Sequence, residues 1–221
     1  TVEIFDAARL THVRSVDGFS DWLAALAFSP EGKHLAAAAK DEVGIVDVAS
    51  GDRAGAVTSK DITGWVHALA WRREGLYVTG GASPTLWSIV DGGAVLGATW
   101  VAKKKGYALS GLAIGASKVA GVAHGGPSTL WDRESRKIVS QPAKNGRAVA
   151  LSSTGAWLAH LDGKGALTLI DSASGETAAA LDLAWPAGDD GMFTCSLAFA
   201  PDDGALVCGH AWGVVEVVVA L

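Results

Sequence analysis

One phrase recurs along the chain and constrains its fold more than any other feature. Ala-Leu-Ala-Phe-Ser-Pro-Glu-Gly at 25–32 returns as Ala-Leu-Ala-Trp-Arg-Arg-Glu-Gly at 68–75 and as Ser-Leu-Ala-Phe-Ala-Pro-Asp-Asp-Gly at 196–204. Weaker copies begin at Ser110 and Ala148. Each copy is a short apolar run that ends in a turn rich in Pro, Gly or Ser, as is typical of a strand entering a hairpin. The sequence therefore predicts an internal repeat of β-hairpins.

Further strands are predicted after each copy. The second strands are predicted at 35–39, 76–80, 119–123, 157–161 and 206–210. A third strand follows each time, and its central apolar residues are Val46, Trp87, Trp131, Ile170 and Val218. A fourth apolar segment comes after a short turn, for example at 53–58 and 176–181. Four short antiparallel strands in a unit of roughly 42 residues are typical of a β-propeller blade, so the predicted fold class is all-β.

The composition agrees with blades that cover one another. An ordinary antiparallel sheet has one wet face and alternates apolar with polar residues. Here the second strands read Leu-Ala-Ala-Ala-Ala and Val-Ala-Gly-Val-Ala, and the chain is 49% hydrophobic but only 19% charged. Strands covered on both faces by neighbouring blades explain this pattern. Helices are not expected, because Gly, Val and Pro interrupt every apolar run.

At these positions the sequence resembles the WD40 repeat family. The resemblance lies in Leu-Trp-Asp at 130–132, Leu-Trp-Ser at 86–88, the turn at 27–33 and Gly-Phe-Ser-Asp-Trp at 18–22. Val-Asp at 46–47 and Ile-Asp at 170–171 stand where the family has its Trp-Asp pair. The resemblance implies a WD40-like propeller that acts as a non-catalytic scaffold for protein–protein interaction.

The blade count follows from the two ends of the sequence. Val-Glu-Ile-Phe-Asp-Ala at 2–7 matches Val-Glu-Val-Val-Val-Ala at 215–220, so both segments are predicted third strands. We expect one domain of five blades over residues 1–221. Residues 1–20 would supply the third and fourth strands of the closing blade, and 191–221 its first three. The full blades are then 21–60, 61–105, 106–145 and 146–190.

This arrangement gives the closing blade one third strand too many. The surplus strand is the segment from Thr1 to Ala7 or the segment from Val214 to Leu221. Three alternatives are open. The surplus strand is displaced outward, or it pairs with another copy of the chain, since an unpaired edge invites association. The third alternative is that the sequence is part of a longer propeller or is completed by a partner.

The aromatic residues of the loops are the candidate binding residues. Trp22 and Trp65 precede predicted first strands, in loops that emerge on one rim of a propeller, and three others lie in similar connections. These five residues are Phe19, Trp22, Trp65, Trp100 and Trp185. Exposed aromatic side chains on a rim would form a binding surface for a protein or peptide. The alternative is that they cap the apolar gaps between blades.

Catalysis, metal binding and cofactor binding are not expected. The chain has no Gly-x-Ser-x-Gly, Walker loop or Gly-x-Gly-x-x-Gly. The inner-strand histidines stand at different depths in the repeat, so they are not expected to converge on a metal; they are His67, His124, His160 and His210. Asp189 and Asp190 are too few for a calcium site. The competing hypothesis is a lactonase- or hydrolase-like propeller enzyme that uses a metal or axial His and Asp residues.

Charge and cysteine content bear on partners and compartment. The net charge of -5 disfavours nucleic acid, and the one basic run, Lys103 to Lys105, is expected in a solvated loop. No apolar run is long enough to span a membrane. Cys195 and Cys208 fit no disulfide framework and are predicted to be buried thiols, which favours the cytoplasm.

Overall fold

The computed structural model describes residues 1–19, 21–57, 62, 64–81, 83–90, 93–100, 108–183, 195–209 and 215–219. These residues form antiparallel sheets and contain no helix. The described part of the chain therefore has no helix that is long and apolar enough to cross a membrane. The chain divides into two compact units. The first unit comprises Thr1–Gly81 and Thr85–Ala98, and the second comprises Ala82–Pro84 and Thr99–Leu221.

The first unit contains one hairpin and two sheets of four strands. The hairpin pairs β1 (Val2–Asp6) with β2 (Thr11–Val16). In the two larger sheets each strand pairs with the next along the chain. The first of these consists of β3 (Leu23–Phe28), β4 (His34–Ala39), β5 (Glu42–Asp47) and β6 (Arg53–Val57). The second consists of β7 (Val66–Arg72), β8 (Gly75–Gly80), β9 (Pro84–Val90) and β10 (Gly93–Thr99).

The second unit repeats the same plan in three sheets. The first consists of β11 (Leu109–Ile114), β12 (Lys118–Ala123), β13 (Ser128–Asp132) and β14 (Ile138–Ala143). The next consists of β15 (Gly146–Leu151), β16 (Trp157–Asp162), β17 (Ala166–Asp171) and β18 (Thr177–Asp182). The last has three described strands, which are β19 (Ser196–Phe199), β20 (Ala205–Gly209) and β21 (Val215–Val219).

The second strand of each sheet shows why the sequence lacks polar alternation. In β4 and β12 every residue after the first is buried, whichever face of the sheet it points to. The two faces of β4 pack against the β7–β10 sheet and the β1–β2 hairpin, so alanine replaces the polar residues of a half-exposed strand. The predicted repeat of four antiparallel strands and the predicted positions of the second strands are confirmed.

Sheet packing in the first unit places apolar side chains on both sides of the β3–β6 sheet. On one side Val43 and Ile45 pack with Leu76 and Val78 of the β7–β10 sheet. On the other side the β1–β2 hairpin contributes the buried side chains of Val2, Ile4 and Val16, which pack against β4 and β5. The hairpin therefore covers the two central strands of this sheet. It leaves the same face of β3 open, where Leu26 and Phe28 are 51% and 54% exposed.

The second unit uses the same packing relation between successive sheets. The β15–β18 sheet packs on one side against Val122 and Leu130 of the preceding sheet. On its other side Leu161 packs with Leu206 and Cys208 of the following sheet. In both units the first strand of a sheet lies against the first strand of the sheet before it, as β7 does against β3 and β15 against β11. Successive repeats are therefore packed in one consistent way within each unit.

The two segments expected to compete for one third-strand position each have a partner within their own sheet. Val2 pairs with Val16 in the β1–β2 hairpin. At the other end of the chain Val215 of β21 pairs with Gly209 of β20. Both segments are strands, as predicted.

Candidate functional site

Trp22 and Trp65 occupy equivalent positions in neighbouring repeats of the first unit. Trp22 immediately precedes β3 and Trp65 immediately precedes β7, and these two first strands pack against each other. The two indoles therefore stand at the same end of adjacent sheets. Trp22 is 86% exposed and Trp65 is 53% exposed. The structure thus presents both as surface aromatics.

Hydrogen bonds fix the backbone beside each tryptophan. The amide of Trp22 donates to Oδ1 of Asp21 at 2.8 Å. Beyond Trp65, the amide of Val66 donates to the carbonyl of Lys40 in the β4–β5 turn at 2.7 Å. The Trp65 ring stacks on His67 with a centroid separation of 6.5 Å. The Val66 bond ties the chain beside Trp65 to the β4–β5 turn, and the ring of Trp22 is left in solvent.

Phe19 and Trp100 have a different role. Phe19 is half-buried and packs on the apolar cluster under the β1–β2 hairpin, close to the Cα of Gly44. Trp100 is 2% exposed, and its indole nitrogen donates to the carbonyl of Asp132 at 3.3 Å. Both fit the capping alternative, and Trp100 presents no surface to a partner. Trp185 lies outside the described residues.

The histidines are dispersed. His160 is buried and its Nδ1 lies 2.7 Å from Oγ of Ser128, while exposed His124 contacts the guanidinium of Arg147. Burial lowers the pKa of His160, and both burial and the charge of Arg147 lower that of His124. Within the described part of the chain no three His, Cys, Asp or Glu side chains are placed to hold a metal ion. His210, Asp189, Asp190 and Lys103 to Lys105 lie outside the described residues.

The aspartate that ends the third strand of three sheets, at Asp47, Asp132 and Asp171, has a role that the sequence did not reveal. The carboxylate of Asp132 accepts hydrogen bonds from the amide and hydroxyl of Ser135, at 2.8 and 2.7 Å. Asp171 accepts from the amide of Ser174 at 2.7 Å in the same way. Each aspartate therefore closes the turn between the third and fourth strands, a common use of Asp in turns. The hydrogen bonds from Ser135 and from Lys118 lower the pKa of Asp132 to about 2.

A pocket of about 490 Å³ lies at the opposite end of the same two sheets of the first unit. It is bordered by the β3–β4 turn and the β7–β8 turn, and its lining includes His34, Trp71 and Arg73. These residues were not predicted as a site. The signal in the sequence is Arg-Arg-Glu-Gly at 72–75, where the first copy of the repeat has Ser-Pro-Glu-Gly.

Comparison with known proteins adds no family assignment. No family model matches the chain, and no curated protein matches it.

Proposed function

We propose that the chain is a non-catalytic, WD40-like propeller scaffold that binds a protein or peptide partner through Trp22 and Trp65. The observation that carries this proposal is the exposure of two tryptophans at equivalent positions of adjacent repeats. Tryptophan is among the residues most enriched in binding hot spots, because a large ring buried by a partner contributes several kcal/mol. Two exposed indoles, each directly before a strand, supply such an anchor without a large cost in conformational entropy.

The proposal includes a closed ring of five blades. Its support is the recurring packing of first strand on first strand, which leaves one face of β3 with Leu26 and Phe28 exposed. In a ring, the first strands of the closing blade would cover that face.

The two cysteines are thiols, buried at Cys208 and half-buried at Cys195, which supports the proposed cytoplasmic location.

Ring closure has a direct test. Hydroxyl-radical footprinting reports the solvent exposure of Leu26 and Phe28, and light scattering at several concentrations gives the mass of the same sample. A monomer in which both side chains are protected supports closure. A dimer in which they are protected indicates that a second copy covers β3, and labelling of both in a monomer contradicts the ring.

The binding surface is tested with the Trp22→Ala and Trp65→Ala variants. Partners captured by the immobilised wild-type chain would be purified and their affinity measured by titration calorimetry. Each substitution is expected to weaken binding by about 10-fold or more, since a hot-spot side chain contributes about 2 kcal/mol. Phe5→Ala is the matched control, because Phe5 is also exposed but lies in the hairpin. Equal affinity of wild type and both tryptophan variants would contradict the proposal.

A further inference from the structure

The pocket of about 490 Å³ in the first unit has the size of a small-molecule site. It lies between the β3–β6 and β7–β10 sheets, at the end where β3 turns into β4 and β7 turns into β8. The β7–β8 turn consists of Arg73 and Glu74 alone, because Arg72 pairs with Gly75. The pocket is therefore the space between one short turn and the longer β3–β4 turn.

In the second unit, hydrogen bonds between successive turns close the space that corresponds to the pocket. There the amide of Ala116 in the β11–β12 turn donates to the carbonyl of Ser153 in the β15–β16 turn at 3.1 Å. Ser153 in turn donates through its amide and hydroxyl to Asp203 in the β19–β20 turn, each at 2.7 Å. Direct hydrogen bonds thus join successive turns in the second unit, whereas the first unit has a cavity at this place.

One wall of the pocket is apolar and aromatic. Ile45, which is buried, and Ile89, which is half-buried, contribute aliphatic surface. The rings of His34 and Trp71 are stacked, with a centroid separation of 6.3 Å and an interplanar angle of 22°. Such a wall favours a ligand with a flat, apolar ring, because aromatic pairs add to the gain from area burial.

The charged groups at the mouth are not equally available to a ligand. Glu74 accepts a hydrogen bond from the hydroxyl of Tyr77 at 2.8 Å. The pKa of Glu31 is lowered because its own amide, Ser29 and His34 hydrogen-bond to its carboxylate. Arg73 is exposed and lines the pocket, and it has no hydrogen-bond or ion-pair partner in the part of the chain that the structure describes. The charged group that is available to a ligand is therefore the guanidinium of Arg73, a cationic hydrogen-bond donor.

We propose that this pocket binds an aromatic carboxylate. The ring of the ligand lies on the wall formed by His34 and Trp71, and its carboxylate pairs with the guanidinium of Arg73. A guanidinium matches a carboxylate with two parallel hydrogen bonds, which makes the pair specific as well as strong. The same chemistry is present in a free aromatic acid and in the carboxyl-terminal aromatic residue of a peptide.

Titration calorimetry with four probes tests the proposal and separates the two sources. The probes are 3-phenylpropionate, N-acetyl-Gly-Phe and the carboxamide of each. We expect the acids to bind saturably and each amide to bind about 10-fold more weakly, because a hydrogen bond to a charged group contributes about 1.5 to 3 kcal/mol. Tighter binding of 3-phenylpropionate would identify a free acid as the ligand. Tighter binding of the peptide would identify a chain terminus.

Substitutions of Arg73 and His34 test which side chains contact the ligand. Arg73→Gln is expected to weaken the acids about 10-fold and to leave the amides unchanged, while Arg136→Gln, an exposed turn arginine of the second unit, leaves all four probes unchanged. His34→Ala is expected to weaken acids and amides alike, because it removes half of the aromatic wall. The proposal is overturned by an absence of saturable binding at millimolar acid, by equal affinity for acid and amide, or by wild-type affinity in Arg73→Gln.

Discussion

His160 on β16 is hydrogen-bonded to Ser128 on β13, and both side chains are buried between two sheets of the second unit. The Nδ1 to Oγ distance is 2.7 Å, and the backbone of Lys144 also hydrogen-bonds to the imidazole. The ring therefore has polar partners inside an otherwise apolar interface that includes Val122 and Leu158. Such a pair stabilises the packing of the sheets only while the imidazole is neutral, because burying a charge is costly.

We expect this histidine to make stability depend on pH. Burial lowers the pKa of His160 below its ordinary value of 6.5, so the unfolded chain binds the proton first as the pH falls. Its contribution to the free energy of unfolding is therefore complete above about pH 6.5 and decreases as the pH falls below that value. Urea denaturation at pH 7.5 and pH 5.5 measures the difference.

Two variants serve as comparisons for this prediction. His160→Gln should reduce the loss of stability between the two pH values, whereas His124→Gln should change it less, because His124 is exposed. Ser128→Ala leaves the imidazole without its hydroxyl partner and should cost about 1 to 3 kcal/mol at pH 7.5. An identical pH dependence in wild type and His160→Gln would contradict this interpretation.

Asp132 gives a second, more acidic pH dependence. Its pKa is lowered from 3.8 to about 2 by the amide and hydroxyl of Ser135 and by Lys118, whose Nζ is 3.3 Å from the carboxylate. The stabilisation is present above pH 3.8 and is lost as the pH falls towards 2. Asp132→Asn should therefore lower the thermal midpoint at pH 7 and lower it less at pH 3. Asp52→Asn, in the β5–β6 turn, is the control and should have little effect at either pH.

The sequence predicted the repeat because its signals are local. Apolar runs and Pro and Gly turns each lie within one repeat, and Trp87 and Trp131 recur at the spacing of the repeat, so the strand positions could be predicted without tertiary information. Burial on both faces was predictable as well, since Leu-Ala-Ala-Ala-Ala has no polar side for water.

What the sequence did not reveal depends on contacts between repeats. His160 and Ser128 are 32 residues apart and meet only because their sheets stack. Trp100 and Trp22 both lie in connections, yet Trp100 is buried and its indole nitrogen donates to the carbonyl of Asp132, which is 32 residues further along the chain. The pocket beside Arg73 likewise lies between the turns of two sheets, so no single repeat displays it.

Gly115 is expected to be indispensable for the close approach of two turns in the second unit. A Cβ at this position would lie 2.8 Å from the Cα of Gly155 and 3.2 Å from the carbonyl oxygen of Ser152, which are backbone atoms that cannot rotate away. Gly115→Ala should therefore destabilise the fold by about 1 to 3 kcal/mol in chemical denaturation. Gly97→Ala is the control, because its Cβ would meet the nearest backbone atom, the oxygen of Leu86, at an ordinary 3.5 Å. Equal stability of the two variants would show that the turns separate without cost.

The packing of β1 predicts that the β1–β2 hairpin stabilises the first unit. Ile4 is buried against the β3–β6 sheet, together with Leu35 and Val46, whereas its neighbour Phe5 is 58% exposed. Ile4→Ala should lower the free energy of unfolding by about 2 to 4 kcal/mol, as buried isoleucines do when truncated. Phe5→Ala should change it by only about 0.5 kcal/mol, although it removes the larger side chain. If Ile4→Ala proved as mild as Phe5→Ala in urea denaturation, β1 would contribute little to the packing of the first unit.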